Sequence, residues 1–259
     1  DIAGALTVTG GLMLLVYATT QANESGATLL STTGWLCLAL LCLASFLLIE
    51  WRSHAPLMPL QIWRSRSLGA ACVVSFALLG SFFGFLFICA LYLQEVLHYS
   101  PLQESLALLP GSIASILTSQ FVAPWLMNRL GMKRTVSLGM ACMLSGILLF
   151  LRAGAISDYM GIILPSTLII QGLGMAICIP SLTIAAVAGI KPTEQGLAAG
   201  LQGTSLQAGG GIFVALTAAV MTISMSSGET RLQGLHMGVL VLVAGAALGT
   251  LMALIGITA

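Results

Sequence analysis

Charge is what this sequence has least of: nine Lys or Arg and eight Asp or Glu in 259 residues, or 7%. A folded chain so poor in charge cannot cover a water-facing surface, and 58% apolar residues with a mean hydropathy of +1.05 exclude an ordinary soluble domain. Period-2 alternation is also missing from its apolar runs, which excludes a membrane barrel and leaves helices as the spanning element. The six cysteines form no C-x-x-C pair and have no nearby histidine, so neither a metal site nor a disulfide framework is indicated. H-E-x-x-H, G-x-S-x-G and paired intramembrane carboxylates are all absent, which argues against an intramembrane enzyme. The basic residues build no aromatic-interleaved stripe, so nucleic acid is not an expected partner.

What is present is a series of long apolar runs. A transmembrane helix needs about 20 such residues, and eight stretches qualify: Ile2 to Thr20, Thr32 to Ile49, Ser67 to Val96, Pro101 to Met127, Thr135 to Leu151, Tyr159 to Ile190, Leu197 to Met225 and Leu235 to Ile257. The expected fold class is all-α, a polytopic membrane protein with eight transmembrane helices. Asp1 opens the chain with no basic region and cleavage site behind it, which reads as a fragment of a longer protein.

Lys and Arg accumulate on the cytoplasmic side of membranes. One set of breaks between spans holds Arg52, Arg64, Arg66, Arg129, Lys133, Arg134 and Lys191, and the other holds only Arg152 and Arg231. Both ends of the chain are therefore expected in the cytoplasm, as a multi-pass protein of the plasma (bacterial inner) membrane.

Spacing within the basic loop carries more than orientation. Asn128, Arg129, Gly131, Lys133 and Arg134 stand in an order that resembles the G-x-x-x-D-R-x-G-R-[KR] signature of the major facilitator superfamily, with Asn128 in place of the acid and Pro124 in place of the leading glycine. The run "RSHAPLMPLQIWRSRSL" and the segment Leu91 to Pro110 are similar to the fourteen-helix drug:proton antiporter branch of that family. So is "GLAAGLQGTSLQAGGGIFVA", with Gly203 where Asn is common and Leu206 where Arg is common. The resemblance implies two linker helices and a cytoplasmic loop over 1–66, a C-terminal six-helix half over 67–259 built as inverted three-helix repeats, and a missing N-terminal half. A short internal echo agrees: Gly111-Ser112 precedes Phe121-Val122-Ala123 at the spacing by which Gly203-Thr204 precedes Phe213-Val214-Ala215.

By the same resemblance the third and sixth spans line a central cavity. On the sixth, Thr167, Gln171, Gly174, Met175, Cys178 and Ser181 recur at helical spacing as a small, polar and soft stripe. On the third, aromatic residues concentrate, Phe83 and Phe87 among them, and could hold a lipophilic cation. Phe83, Phe87, Thr167, Gln171, Met175 and Ser181 are the expected substrate-cavity residues. Gly196, Gly200, Gly203, Gln207 and Gly211 are expected at the interface with the missing half, where smooth faces allow close approach. No span carries a deep carboxylate, Lys or His, so Glu95 and His98, at an outer mouth, are the candidate proton groups, against the plainer reading of an interfacial anchor. The function implied is part of a secondary active transporter, a proton-coupled exporter of lipophilic or cationic drugs. It would use the proton gradient and no cofactor, with the bilayer, a small-molecule substrate and the missing half as partners. Export of an endogenous metabolite, another small-solute transporter and a non-transporting membrane scaffold are the alternatives.

Overall fold

The computed structural model describes residues 65–154, 159–226 and 230–257, together with helical positions within 7–14 and 34–45. The chain divides into two compact units, Asp1–Ile62 and Trp63–Ala259. In the first, both sets of described positions are helical and fall within the first two expected spans; the rest of those spans and Arg52, like Arg64 at the start of the second unit, lie outside the described residues.

In the second unit every regular element among the described residues is helical. Helix α1 (Arg66–Leu91) is continued by π-type turns over Tyr92–Val96. Helix α2 (Pro101–Leu117) runs through a π-type turn at Thr118–Val122 into α3 (Ala123–Phe150). A π-type turn at Tyr159–Ile163, the short α4 (Leu164–Thr167) and a π-type stretch at Leu168–Met175 lead into α5 (Ala176–Val187). Helices α6 (Gln195–Ser226) and α7 (Arg231–Gly256) complete the bundle. Local sequence starts these rods: Ser100 and Thr230 each form a capping box with the glutamine three residues on, Pro101 takes the first helical position, and the Ser65 hydroxyl accepts from the Leu68 N–H.

Five helical stretches are long and apolar enough to cross a membrane: Arg66–Val96, Pro101–Phe150, Tyr159–Val187, Pro192–Ser226 and Arg231–Gly256. The second has 50 residues, about 75 Å of helix at 1.5 Å per residue and more than twice the roughly 30 Å hydrocarbon core. It doubles back. Tyr159 donates to the Ala107 carbonyl and Gln171 bonds Ser112, so numbering along α2 rises with numbering along 159–187. Gly146 lies against Ile170 and Gly139 against Cys178, so along the second part of α3 it falls. The reversal is at Gly131, where φ 77° and ψ 169° break the helix.

That backbone conformation is essentially restricted to glycine. A Cβ on Gly131 would meet no atom within 4 Å, so the cost of a side chain there is conformational rather than steric. Gly131→Ala is expected to lower stability by about 1–3 kcal/mol, read as a drop in the thermal unfolding midpoint of the detergent-solubilised chain. An unchanged midpoint would mean that the reversal does not depend on this dihedral.

Helix α1 is the core of the bundle. Glycines let its neighbours approach: a Cβ on Gly209 would run into the Phe76 backbone, one on Gly80 would sit 2.6 Å from the Phe213 ring, and Gly84 faces Leu242. Phe76 and Phe213 meet edge to face with centroids 5.8 Å apart, as do Phe85 and Phe150 at 5.2 Å. Buried polar bonds fix the register, from Gln202 Nε2 to Ser75 Oγ at 2.9 Å and from Ser67 Oγ to the Ala185 carbonyl at 3.1 Å. Such interhelical bonds contribute about 0.6 kcal/mol each in membranes, so they specify position more than they stabilise.

Candidate functional site

The bundle has two chemically different ends. Arg66, the Arg129 to Arg134 hairpin and Lys191 gather at one, where Ser67 meets Ala185 and Gly256 meets Ala70. At the other, Tyr92 donates to the Gly154 carbonyl at 2.7 Å, the His236 ring contacts the Ala153 carbonyl at 2.8 Å, and Glu95 pairs with Arg231. Glu104, also there, accepts from Gln94. Glu95 is thus tied across α1 and α7 to Arg231 and makes no hydrogen bond to His98, which is exposed at φ 57°. With side chains 52% and 32% exposed, this pair contributes no more than about 1 kcal/mol. Neither Glu95 nor His98 reaches into the middle of the bundle.

Between α1, α2 and the 159–187 rod lies a cleft of about 200 Å³ lined by Phe82, Ser115, Ser119, Gln171, Met175, Ile179 and Pro180. Gln171 Nε2 donates to Ser112 Oγ at 2.7 Å, while its Oε1 is buried without a partner. Gly111 makes room for that amide: a Cβ there would stand 3.1 Å from Oε1. The cleft therefore combines an amide side chain, two serine hydroxyls, an aromatic wall and a thioether. Drug-sized ligands occupy pockets of about 300–1,000 Å³, so this volume suits part of such a ligand.

Of the six expected cavity residues, Gln171 and Met175 line the cleft. Thr167 and Ser181 do not: both are fully buried and donate to carbonyls of their own rod, Leu164 and Ile177. Gly174 and Cys178 face α3 instead, against Met143, Gly139 and Val136. Gln171, Met175 and Ile179, each four apart, share the cleft face, while Gly174 and Cys178 lie on the neighbouring face against α3, so the stripe is broader than one packed face and divides between two. Phe83, 39% exposed, and the half-buried Phe87 lie on the accessible face of α1 rather than in the cleft. The ring that does line it is Phe82, one residue away from the position chosen on aromatic density. Ser115 and Ser119, one turn apart on the α2 rod, gave a signal in their i, i+4 spacing that polar-stripe reasoning confined to the sixth span did not take up.

Gly196, Gly200, Gly203 and Gly211 share one property, since an added Cβ on any of them meets nothing within 4 Å. Gln207 is exposed as well. All five point away from their own unit. Gly209 and Gly210, beside Gly211 in sequence, turn inward onto Phe76 and Phe83. In the hairpin the Arg129 guanidinium lies 5.4 Å from the Trp125 ring centroid, and the Asn128 side chain makes no hydrogen bond to the described residues.

The sequence profile of the Major Facilitator Superfamily matches residues 2–214. Among curated proteins, the chain is 31% identical over 221 residues to the tetracenomycin C resistance and export protein of Streptomyces glaucescens, covering 85% of this chain and 40% of that protein. It is 32% identical over 225 residues to the puromycin resistance protein pur8 of Streptomyces alboniger, covering 86% and 44%. With the multidrug resistance protein Stp of Mycobacterium tuberculosis the identity is 28% over 236 residues, covering 88% and 42%. The chain spans less than half the length of these relatives.

Proposed function

The chain belongs to the Major Facilitator Superfamily, and from that premise we propose that it is part of a secondary active transporter, a proton-coupled exporter of lipophilic or cationic drugs working by alternating access. The observation that carries this reading is the family match, and relatives named as resistance and export proteins support the choice of export. In this reading 1–66 provides two linker helices and 67–259 the C-terminal six-helix half, eight spans in all, with inverted three-helix repeats. The outward glycines Gly196, Gly200, Gly203 and Gly211 meet an N-terminal half, and the cleft beside Gln171 contributes one side of a cavity between the halves. Phe83 and Phe87, accessible on α1, form an aromatic approach to it. The hairpin from Asn128 to Arg134 serves as a cytoplasmic latch, and both ends of the chain face the cytoplasm, as the seven-to-two charge distribution supports. The proton gradient is the energy source and no cofactor takes part.

A second reading, export of one particular metabolite, is favoured by relatives named for single antibiotics.

Everted vesicles carrying the protein in its full natural length test the proposal. A cysteine at Met132 is expected to react with impermeant thiol reagents in these vesicles, and an imposed proton gradient is expected to drive accumulation of a lipophilic cation. No substrate-dependent movement in either direction would leave a scaffold and overturn transport. Glu95→Gln is expected to keep proton coupling, with at most about a fivefold change in rate, since the pair with Arg231 sits at the end of the bundle and is worth no more than about 1 kcal/mol. Loss of substrate-induced proton movement in that variant, with substrate binding intact, would place the coupling group at Glu95.

A further inference from the structure

Another cavity in the second unit is larger than the cleft beside Gln171. A groove of about 820 Å³ opens beside the Gly131 reversal, between the first turns of the returning part of α3 and the last turns of α7. Its head is polar, with Lys133 and Arg134 above a Ser137 hydroxyl that donates to the Lys133 carbonyl, and its wall is apolar, with Leu138, Ala141 and Leu254. Leu138 is 44% and Leu254 51% exposed, so the apolar wall is uncovered by the rest of its unit.

Charge decides what such a groove would take. Lys133 and Arg134 have no acidic partner among the described residues, where Arg231 and Glu95 form the ion pair. The described acids are Glu95 and Glu104 at the far end of the bundle and Glu194 in the turn before α6, and none of them lines the groove. Arg129 is turned onto Trp125 and is not part of the lining either. A helix that restarts after Gly131 adds the positive end of its dipole to the two side-chain charges.

Depth in the bilayer points the same way. From residue 132 to Phe150 the returning rod has 19 residues, about 28 Å at 1.5 Å each, which matches the roughly 30 Å hydrocarbon core. Lys133 and Arg134 therefore stand at the headgroup level, and Leu138 and Ala141 lie one to two turns deeper, at the level of acyl chains.

We propose that this groove is a binding site for an anionic glycerophospholipid, its phosphate held by Lys133 and Arg134 and the upper part of an acyl chain laid along Leu138, Ala141 and Leu254. The volume lies within the 300–1,000 Å³ of small-molecule sites, enough for a headgroup and part of a chain. Two juxtamembrane charges favour anionic over zwitterionic lipid by about fivefold each.

The test uses the purified full chain with dioleoyl phosphatidylglycerol, dioleoyl phosphatidylcholine and inorganic phosphate as probes. Native mass spectrometry is expected to show phosphatidylglycerol retained at least tenfold better than phosphatidylcholine, with millimolar inorganic phosphate failing to displace it. Lys133→Gln combined with Arg134→Gln is expected to reduce that retention on the order of 30-fold, whereas Lys191→Gln, outside the groove at the same end, leaves it unchanged. If the double variant does not fold, Arg134→Gln alone, at an exposed side chain, is expected to cost about fivefold. For the chain position, the added emission of Leu138→Trp over the parent protein is expected to be quenched by brominated phosphatidylglycerol. Equal retention of the two lipids overturns the proposal. So does complete displacement by phosphate, which would assign a free-anion site, and so does an unquenched tryptophan at 138, which would mean that protein covers the groove.

Discussion

Gly209→Ala is expected to remove about 3 kcal/mol of stability and most of the folded yield, although alanine is the better helix former. Gly→Ala in a helix interior gains up to about 1 kcal/mol of propensity. Against that, a Cβ on Gly209 would overlap the Phe76 carbonyl oxygen and stand 2.7 Å from its carbon and 2.8 Å from its Cα. All three are backbone atoms, so no rotamer can move aside. Relief requires α6 to leave α1, which strains the Gln202 to Ser75 bond and the Phe76 to Phe213 contact on the same face. Overpacking costs typically 1–3 kcal/mol and occasionally more, and a backbone clash belongs at the upper end. Gly203→Ala, on the same helix with nothing within 4 Å of the added Cβ, is expected to leave the unfolding midpoint unchanged or slightly raised. Thermal unfolding of both variants in detergent decides the matter. Equal losses would mean that α1 and α6 are not packed through Gly209, and a Gly203→Ala protein that is stable but transports poorly would support contact of that face with an N-terminal half.

Sequence made the rods legible because each needs only a run of apolar residues, and the six runs from Ser67 onward correspond to rods of the second unit within a few residues of the ends. It also separated the fourth and fifth runs, which form one 50-residue helical stretch by backbone bonding. The basic loop marked the reversal there, and Gly131 supplies the dihedral that makes it. Facing was harder to read. In a chain this apolar, a helix carries too little polar contrast to show which side is buried, so Gly209, Gly210 and Gly211 look alike until Phe76 and Phe83 are placed against the first two. The same lack of contrast made Phe83 as plausible as Phe82 for the cleft. Breadth was the other difficulty: the stripe from Thr167 to Ser181 covers more than one face of its rod, and Gln171 and Met175 turn to the cleft while Gly174 and Cys178 turn to α3. The lipid groove was only half legible, since Lys133 and Arg134 were plain as a loop while Leu254, which completes its wall, lies 120 residues away.

Gln171 is where these two difficulties meet, and its substitution carries the second large effect. Gln171→Leu keeps approximate volume and removes both the donor that holds Ser112 and the buried, unpartnered Oε1. The structural cost is expected to be small, about 0.6 kcal/mol for one interhelical bond in a membrane, because the Ser112 hydroxyl can turn back to a carbonyl of its own helix. The cost for a ligand is different in kind. A substrate that draws Oε1 round and donates an N–H or O–H to it loses a bond worth about 0.5–1.5 kcal/mol, a roughly twofold to twelvefold weaker interaction, whereas a substrate with no donor loses nothing and gains an apolar wall. Efflux of donor-bearing compounds is therefore expected to fall by roughly twofold to twelvefold relative to donor-free compounds of similar size, with protein level and unfolding midpoint nearly unchanged. Met175→Ala, in the same cleft, is expected to favour bulkier substrates. Ser181→Ala is the control: its hydroxyl is fully buried and bonded to Ile177 in its own rod, so selectivity is expected to stay as it was. If Ser181→Ala shifts the substrate range as far as Gln171→Leu does, the rod between 159 and 187 acts through packing alone, and the cleft is not where substrate is read.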